Sequence, residues 1–215
     1  MRPFRILAVT IAVLAMLVIA GCVRRPQQPP VPNAGALTQE FRQCTADMRA
    51  AGVRFTPLPD RLGEDGCAII GSVRLDDIGT PVSNLGAMTC PLARSFAAWV
   101  RYGVVPAARQ HLGSEVVRIE SYGTYACRNI NGAIGGPRSQ HAFANAVDIA
   151  AFVLKDGRRV TLKDGWNGGD PAMQAFLRTV RASACRRFGV VLSPDYNDAH
   201  RDHFHFDMGR GPFCR

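Results

Sequence analysis

Asp202-His203-Phe204-His205-Phe206-Asp207 is the stretch from which the rest of the chain is read. Phenylalanine at every second position is the mark of a half-buried strand. Phe204 and Phe206 then enter a core while His203, His205 and Asp207 share the opposite face. Histidine is the side chain best suited to hold a transition metal or move a proton near neutral pH, so two imidazoles aimed together call for a reason. Four of the five histidines lie here, just beside at His200, or in a second cluster sixty residues upstream at His141. The fifth, His111, has no histidine or acid within a helical turn and reads as structural or exposed.

The upstream cluster is Ser139-Gln140-His141-Ala142-Phe143-Ala144-Asn145-Ala146-Val147-Asp148. It sets a histidine seven residues before an aspartate. Imidazole nitrogen and carboxylate oxygen both bind zinc at about 2.0–2.2 Å, and a catalytic zinc keeps three protein ligands and one open position. His141, Asp148 and one histidine of the last strand meet that count.

The N-terminus has a different character. Arg2 and Arg5 precede an apolar run, Ile6 to Ala20, which ends at Ile19-Ala20-Gly21-Cys22. The run is short for a membrane span and reads as a signal peptide over residues 1–21. Its ending resembles the bacterial lipobox, which makes Cys22 the lipidation site and the mature N-terminus, with Val23 favouring the outer membrane. Acyl chains contribute roughly 0.8 kcal/mol per buried methylene, so two or three tether a protein firmly. Residues 22–35 then form a proline-rich spacer with Pro26, Pro29, Pro30 and Pro32. Loss of Arg2 and Arg5 lowers Lys plus Arg from 26 to 24 against 17 acids, a formal +7. No nucleic-acid motif accompanies that charge, and anionic wall or lipid headgroups suit it better in an exported protein.

Export also governs the cysteines. Cys44, Cys67, Cys90, Cys127, Cys185 and Cys214 remain after Cys22, an even set in a compartment where disulfides persist. Six cysteines admit about fifteen connectivities. Spacing selects none of them; the sequential pattern 44–67, 90–127, 185–214 serves as the expectation. No Cys-x-x-Cys pair supports a thiolate metal site instead.

Across residues 36–215 the periodicities alternate without a regular strand-helix-strand repeat. Phe41, Cys44 and Met48 mark a helical face ended by Gly52, and Val53-Arg54-Phe55 and the segment from Cys67 to Val73 are strand-like. Pro91 opens a helix whose face is Leu92, Phe96, Trp99 and Val100, and a second short helix spans Pro106 to Leu112 before Gly113. Val116 to Tyr122 reads as a strand. Asp148 to Leu154 and Arg159 to Leu162 flank Lys155-Asp156-Gly157 as a hairpin. Asp170-Pro171 starts a helix with Met173, Phe176, Leu177, Val180 and Ala184 on its apolar face and Gly189 as its stop. These elements predict one α+β domain, a small antiparallel sheet with flanking helices.

With those residues in view, the chain resembles the bacterial extensin-like C-terminal domain family, which is related to zinc D-Ala-D-Ala carboxypeptidases and murein endopeptidases. The shared pattern is S-x-H-x-x-G-x-A-x-D, matched by Ser139, His141, Ala146 and Asp148, then H-x-H, matched by His203 and His205. Ser121 to Arg128 and Ser193 to His200 extend the resemblance, which covers about Cys44 to Cys214. It implies the hedgehog/DD-peptidase fold, with zinc on His141, Asp148 and His205 and His203 as base or transition-state stabiliser. Asp202 is the rival acid; on a regular strand it points away from the site. His200 corresponds to an extra active-site histidine of the endopeptidases. Arg128 falls where the carboxypeptidases grip a terminal carboxylate, and Ser139 is a substrate contact or a local turn hydrogen bond. Where the pattern has glycine this chain has Ala144, which is strained if that position needs a positive φ. The resemblance implies a zinc metallopeptidase of the envelope, a hydrolase acting on peptidoglycan peptides at the periplasmic face of a membrane as a monomeric lipoprotein. The alternative is a non-catalytic wall-binding lipoprotein of the same fold.

Overall fold

Phe204 and Phe206 are fully buried, and His205 and Asp207 face the other side of the same short strand. The computed structural model describes residues 34–63 and 65–215. The expected leader, Cys22 and the spacer up to residue 33 lie outside the described residues.

Helix α1 (Ala34–Ala50) begins within the expected spacer and leads to β1 (Arg54–Pro57), the hairpin β2 (Arg61–Leu62) and β3 (Ala68–Ile69), then β4 (Ser72–Asp77), β5 (Val82–Ser83) and β6 (Met88–Thr89). Next come α2 (Cys90–Trp99), α3 (Val105–Leu112), β7 (Val116–Gly123), β8 (Ala146–Leu154), β9 (Arg159–Thr161), α4 (Leu162–Gly165), α5 (Pro171–Cys185), β10 (Val190–Leu192), β11 (Phe204–Asp207) and β12 (Phe213–Cys214). This is an α+β domain. Its main sheet has the order β12-β10-β11-β8-β7-β5, with β9 also on β8, while β1-β4-β6 form a small second sheet. The main sheet is antiparallel except at its two edges, where β5 runs parallel to β7 and β12 to β10. Among the described residues no helix is long and apolar enough to cross a membrane.

Trp99 organises the core. Its indole N–H donates to the Val180 carbonyl of α5 at 2.9 Å, and its ring meets Phe206 edge-on at 5.0 Å and Phe152 at 6.1 Å. Phe188 stacks on Phe206 at 4.8 Å and Trp166 meets Phe204 edge-on at 5.5 Å. Helices α2 and α5 thus cover the phenylalanine face of β11, which leaves the opposite face for the polar site.

Three sequence expectations need correction here. The two helices around Pro91 and Pro106 are one continuous helical run, joined by a π-helical stretch at Val100–Val104. Proline at 106 lacks an N–H and crowds the carbonyl four residues back, and the wider turn absorbs both effects without breaking the run. Helix α5 stops at Cys185 with Arg186 still right-handed, rather than at Gly189. Gly189 serves a close approach instead, because a Cβ there would collide with the Gly209 carbonyl. The disulfides are Cys44–Cys90, Cys67–Cys127 and Cys185–Cys214, so only the third expected pair forms. Packing decides this: α1 lies against α2, which brings Met48 and Cys44 to Cys90, and β3 lies against the Gln140–Phe143 turn, whose His141 carbonyl accepts the Ala126 N–H beside Cys127.

The site loop is a 3-10 turn at Gln140–Phe143 that ends on Ala144 at φ +52°, ψ +27°. The departure from glycine noted in the sequence therefore falls on a left-handed residue. The turn is pinned on both sides. Ala144 N–H donates to the His141 carbonyl at 3.1 Å, Thr89 N–H donates to the Ala144 carbonyl at 2.8 Å, and the Thr89 hydroxyl donates to Asn145 Oδ1 at 2.8 Å. A left-handed L-residue costs roughly 1–2 kcal/mol, and glycine returns part of that through its freer unfolded chain, roughly 0.4–1 kcal/mol. Ala144 is fully buried, so glycine also forfeits about 0.8 kcal/mol of methyl burial. Ala144→Gly is therefore expected to leave the unfolding free energy within about 0.5 kcal/mol in denaturant titration, and a loss above about 1 kcal/mol would show that the turn carries no strain.

Candidate metal centre

Strand β8 reads Ala-Val-Asp-Ile-Ala-Ala-Phe-Val-Leu, and Asp148 is its one polar side chain. Antiparallel pairing sets Asp148 directly opposite His205 of β11, so both side chains leave the same face of the sheet. The turn at Gln140–Phe143 then brings His141 over the pair. His141, Asp148 and His205 are 2%, 7% and 8% exposed. Three candidate donors that the sequence places in two separate segments become one buried cluster.

Its donor atoms are already close. His141 Nε2 lies 3.1 Å from Asp148 Oδ2 and 3.2 Å from His205 Nδ1, and His205 Nδ1 lies 2.9 Å from Asp148 Oδ1. Bonds of about 2.0–2.1 Å to a tetrahedral ion set ligand atoms roughly 3.3 Å apart. The donors fit that figure to within a few tenths of an ångström. Two imidazoles and one carboxylate also suit a transition ion better than calcium or magnesium, which favour all-oxygen sets.

The outer nitrogens of both rings are held. His141 Nδ1 is 2.9 Å from the Thr124 carbonyl, an acceptor only, so the ring donates there and turns Nε2 inward. His205 Nε2 is 2.9 Å from Asp207 Oδ2, while Asp207 Oδ1 accepts the Gly209 N–H at 2.7 Å. Such partners fix tautomer and ring orientation at metal sites. Gly123 makes the first of these bonds feasible. At φ +127° it turns the chain out of β7 so that the Thr124 carbonyl faces His141.

Electrostatics follow from burial and pairing. Burial opposes charge on His205, but its bonds to the Asp148 and Asp207 carboxylates outweigh this and raise its pKa to about 9. Burial likewise pushes the Asp148 carboxyl upward, and the bonds from His141 and His205 overcome it, holding Asp148 well below the usual carboxylate range. In the metal-free protein the His205 proton thus occupies the place of a cation.

The remaining expected residues stand at the rim. Strand β11 begins at Phe204, so Asp202 and His203 precede it and the alternation that would turn Asp202 away does not reach them. Asp202 Oδ1 instead bonds His203 Nδ1 at 2.9 Å, and His203 Nε2 is 3.8 Å from Asp148 Oδ1. Burial raises the Asp202 pKa, but the bond to His203 more than offsets it and lowers the carboxyl. Tyr122 meets the His203 ring edge-on at 5.5 Å, and its hydroxyl donates to Asp202 Oδ2 at 3.4 Å. His200, held by Asn197 Oδ1 at 2.7 Å, packs beside His203 and His205. Burial first, then the neighbouring His203 and His205, drop its pKa to about 4, so it is neutral at pH 7. Arg128 reaches to 3.8 Å from Asp148 Oδ2 and lines, with His141, Asp148, Asp202 and His203, a cleft of about 300 Å³. Ser139 is buried, and its Oγ accepts the His141 N–H at 3.3 Å, the local turn bond. His111 is bonded to the Thr179 hydroxyl at 3.0 Å, away from the site.

Sequence reasoning passed over Asp207 and Thr124 as site residues. The i, i+2 spacing of His205 and Asp207 on one strand face is the signal that points to the first. Nothing in the sequence marks a backbone carbonyl at Thr124.

Two measurements test the electrostatics and the outer partners. His205 has a folded pKa above its unfolded value near 6.5, so its stabilising contribution is full below pH 6.5 and is lost as pH rises through about 9. Chelator-stripped protein should lose up to about 3 kcal/mol of stability between those limits in pH-resolved unfolding. Metal affinity should move the opposite way, since binding releases that proton; a flat stability profile would remove the proposed proton. Asp207→Ala is expected to weaken metal binding roughly 10–100-fold in competition titration, with the fold retained by circular dichroism.

One family model, described as Extensin-like protein C-terminus, matches residues 42–215. No curated protein and no solved structure matches the chain. The match begins within α1, spans every later element and both halves of the histidine–aspartate cluster, and the chain belongs to the family of extensin-like protein C-terminal domains.

Proposed function

We propose that the protein is a zinc-dependent peptidase of the cell envelope that hydrolyses peptide bonds in peptidoglycan, tethered through lipid on Cys22 as a monomer facing the wall. The observation that carries this reading is the juxtaposition of a buried three-donor cluster with the Asp202–His203 pair at the mouth of an open cleft. A cluster that only stabilised the fold would need no second, partly exposed histidine–carboxylate pair aimed at it.

Zinc, when bound by His141, Asp148 and His205, would supply a water of lowered pKa and a Lewis acid for the scissile carbonyl. His203 has one nitrogen committed to Asp202 and the other facing the cluster, the arrangement of a general base oriented by a carboxylate. It takes the proton of the attacking water and returns it to the leaving amine. Tyr122 holds Asp202 and the His203 ring in place. Arg128, whose side chain is about half exposed at the cleft, offers a planar fork for a substrate carboxylate. His200, neutral and lodged between two imidazoles, limits positive charge beside the metal.

Muropeptides incubated with the zinc-loaded protein should be shortened or uncoupled, and His205→Ala should give no product. His203→Ala should retain its zinc and lose roughly 10²–10⁴-fold in kcat. Equal, background-level products from wild type and His205→Ala would overturn catalysis, and co-sedimentation with sacculi in that case would favour the wall-binding alternative.

A further inference from the structure

The metal cleft does not end at Tyr122. A second groove of about 500 Å³ adjoins it, lined chiefly by Leu58, Pro59, Arg61, Ile69, Ala87 and Tyr125, and the segment Tyr122–Tyr125 forms a wall of both. We infer that this groove is a second substrate subsite, which takes an extended, carboxylate-bearing peptide arm beyond the bond that is cut. The inference rests on the peptidase reading and deepens it.

The two clefts are continuous. Any chain leaving the metal cleft on this side must cross Tyr122–Tyr125 to reach the groove. That shared wall is held in place: β5 pairs with β7 as far as Ser83 opposite Glu120, and beyond it Asn84–Gly86 runs beside Ser121–Thr124.

The groove's lining is mostly apolar, with a single positive charge among the described residues. Among the described lining residues Arg61 is the one charged side chain, and no acid lines the groove. Arg61 sits in an exposed two-residue strand and, among the described residues, has no ion-pair partner within 4 Å. Leu58, Pro59, Ile69 and Ala87 provide apolar contact, while Tyr122 and Tyr125 present exposed rings. Together with Arg128 at the metal end, this spaces two guanidinium groups along one path of apolar and aromatic surface. A peptide with side-chain or terminal carboxylates matches both features; a neutral glycan uses neither guanidinium.

The groove is also rigid. The Cys67–Cys127 disulfide ties the β2–β3 hairpin to the chain leaving β7, and Arg138 Nε donates to the Asp65 carbonyl at 3.1 Å. On the opposite bank, Asn84 Nδ2 donates to the Ser121 carbonyl at 3.1 Å and Gly86 N–H to Thr124 Oγ1 at 3.1 Å. A groove with both banks fastened loses little freedom on binding, which favours affinity.

The test is equilibrium binding to chelator-stripped full-length protein, in which no bond is cut. Stem peptides of two and of five residues, both acidic, and peptide-free glycan oligomers are compared by fluorescence anisotropy. The longer peptide should bind roughly tenfold more tightly than the shorter. Arg61→Ala, on an exposed strand, and Ala87→Trp, which fills the groove, should each reduce that preference to within about twofold. Equal affinity of both peptides for wild type would overturn the subsite, as would a preference that survives both variants or a glycan that binds as well as the longer peptide. Failure of every peptide to bind would instead bring down the peptidase reading on which the inference stands.

Discussion

The pairing of His205 with Asp148 across β11 and β8 is the interaction on which the site depends. Two ionisable groups on one buried sheet face are costly to desolvate, and removing either partner of such a pair typically costs roughly 3–5 kcal/mol. The fold meets this cost with hydrogen bonds. Every inward or outward nitrogen of His141 and His205 has a named partner within 3.2 Å, and the inward nitrogens of both rings lie within 3.1 Å of Asp148. The other face of β11 supplies the counterweight, because Phe204 and Phe206 are locked under Trp99, Phe188 and Trp166. A strand fixed on its apolar side cannot slip register, and a one-residue slip would send both His205 and Asp207 into the core.

The disulfides and the long helix act on the same constraint from further away. Cys44–Cys90 fastens α1 to the start of α2, the helix that carries Trp99. Cys67–Cys127 fastens the chain between the Thr124 carbonyl and Arg128, two contributors to the site that lie outside regular strands. Cys185–Cys214 joins the end of α5 to β12 at the sheet edge beyond β10. Each bridge closes a loop of 29 to 60 residues, for which the chain-entropy model gives about 4 kcal/mol.

Much of this architecture is legible in the chain because local rules decide it. The Phe/His alternation, the Asp-Gly hairpin after Leu154 and the Asp170-Pro171 helix start all form where their side-chain patterns place them. His141 and Asp148 are legible as candidate donors from their seven-residue spacing, while the choice of His205 over His203 as the third comes from the family resemblance. What escapes is whatever tertiary contact decides. Disulfide partners depend on which helices and hairpins touch, and periodicity does not carry that information. The π-helical stretch depends on a continuous helix being favoured over a break at Pro106. Asp202 escapes through the position of a boundary: strand alternation applies from Phe204 onward, and two residues earlier it says nothing.

The compactness of the donor cluster bears on how a metal would be received. Donors held roughly 3 Å apart by protons and hydrogen bonds need little movement to close on an ion, so the ordering entropy is already met in folding. That preorganisation has an electrostatic consequence. With one His205 imidazolium against the Asp148 and Asp207 carboxylates, the metal-free cluster keeps about one net negative charge, which attracts a cation, and an incoming divalent ion displaces a proton rather than adding its full charge to a buried site. Ala144 belongs to the same logic. A left-handed alanine persists only where its surroundings over-determine the turn, and here the bonds from Thr89 and to His141 that impose it are the ones that hold His141 over Asp148. Strain at one residue and order at the donor atoms are two consequences of one set of hydrogen bonds.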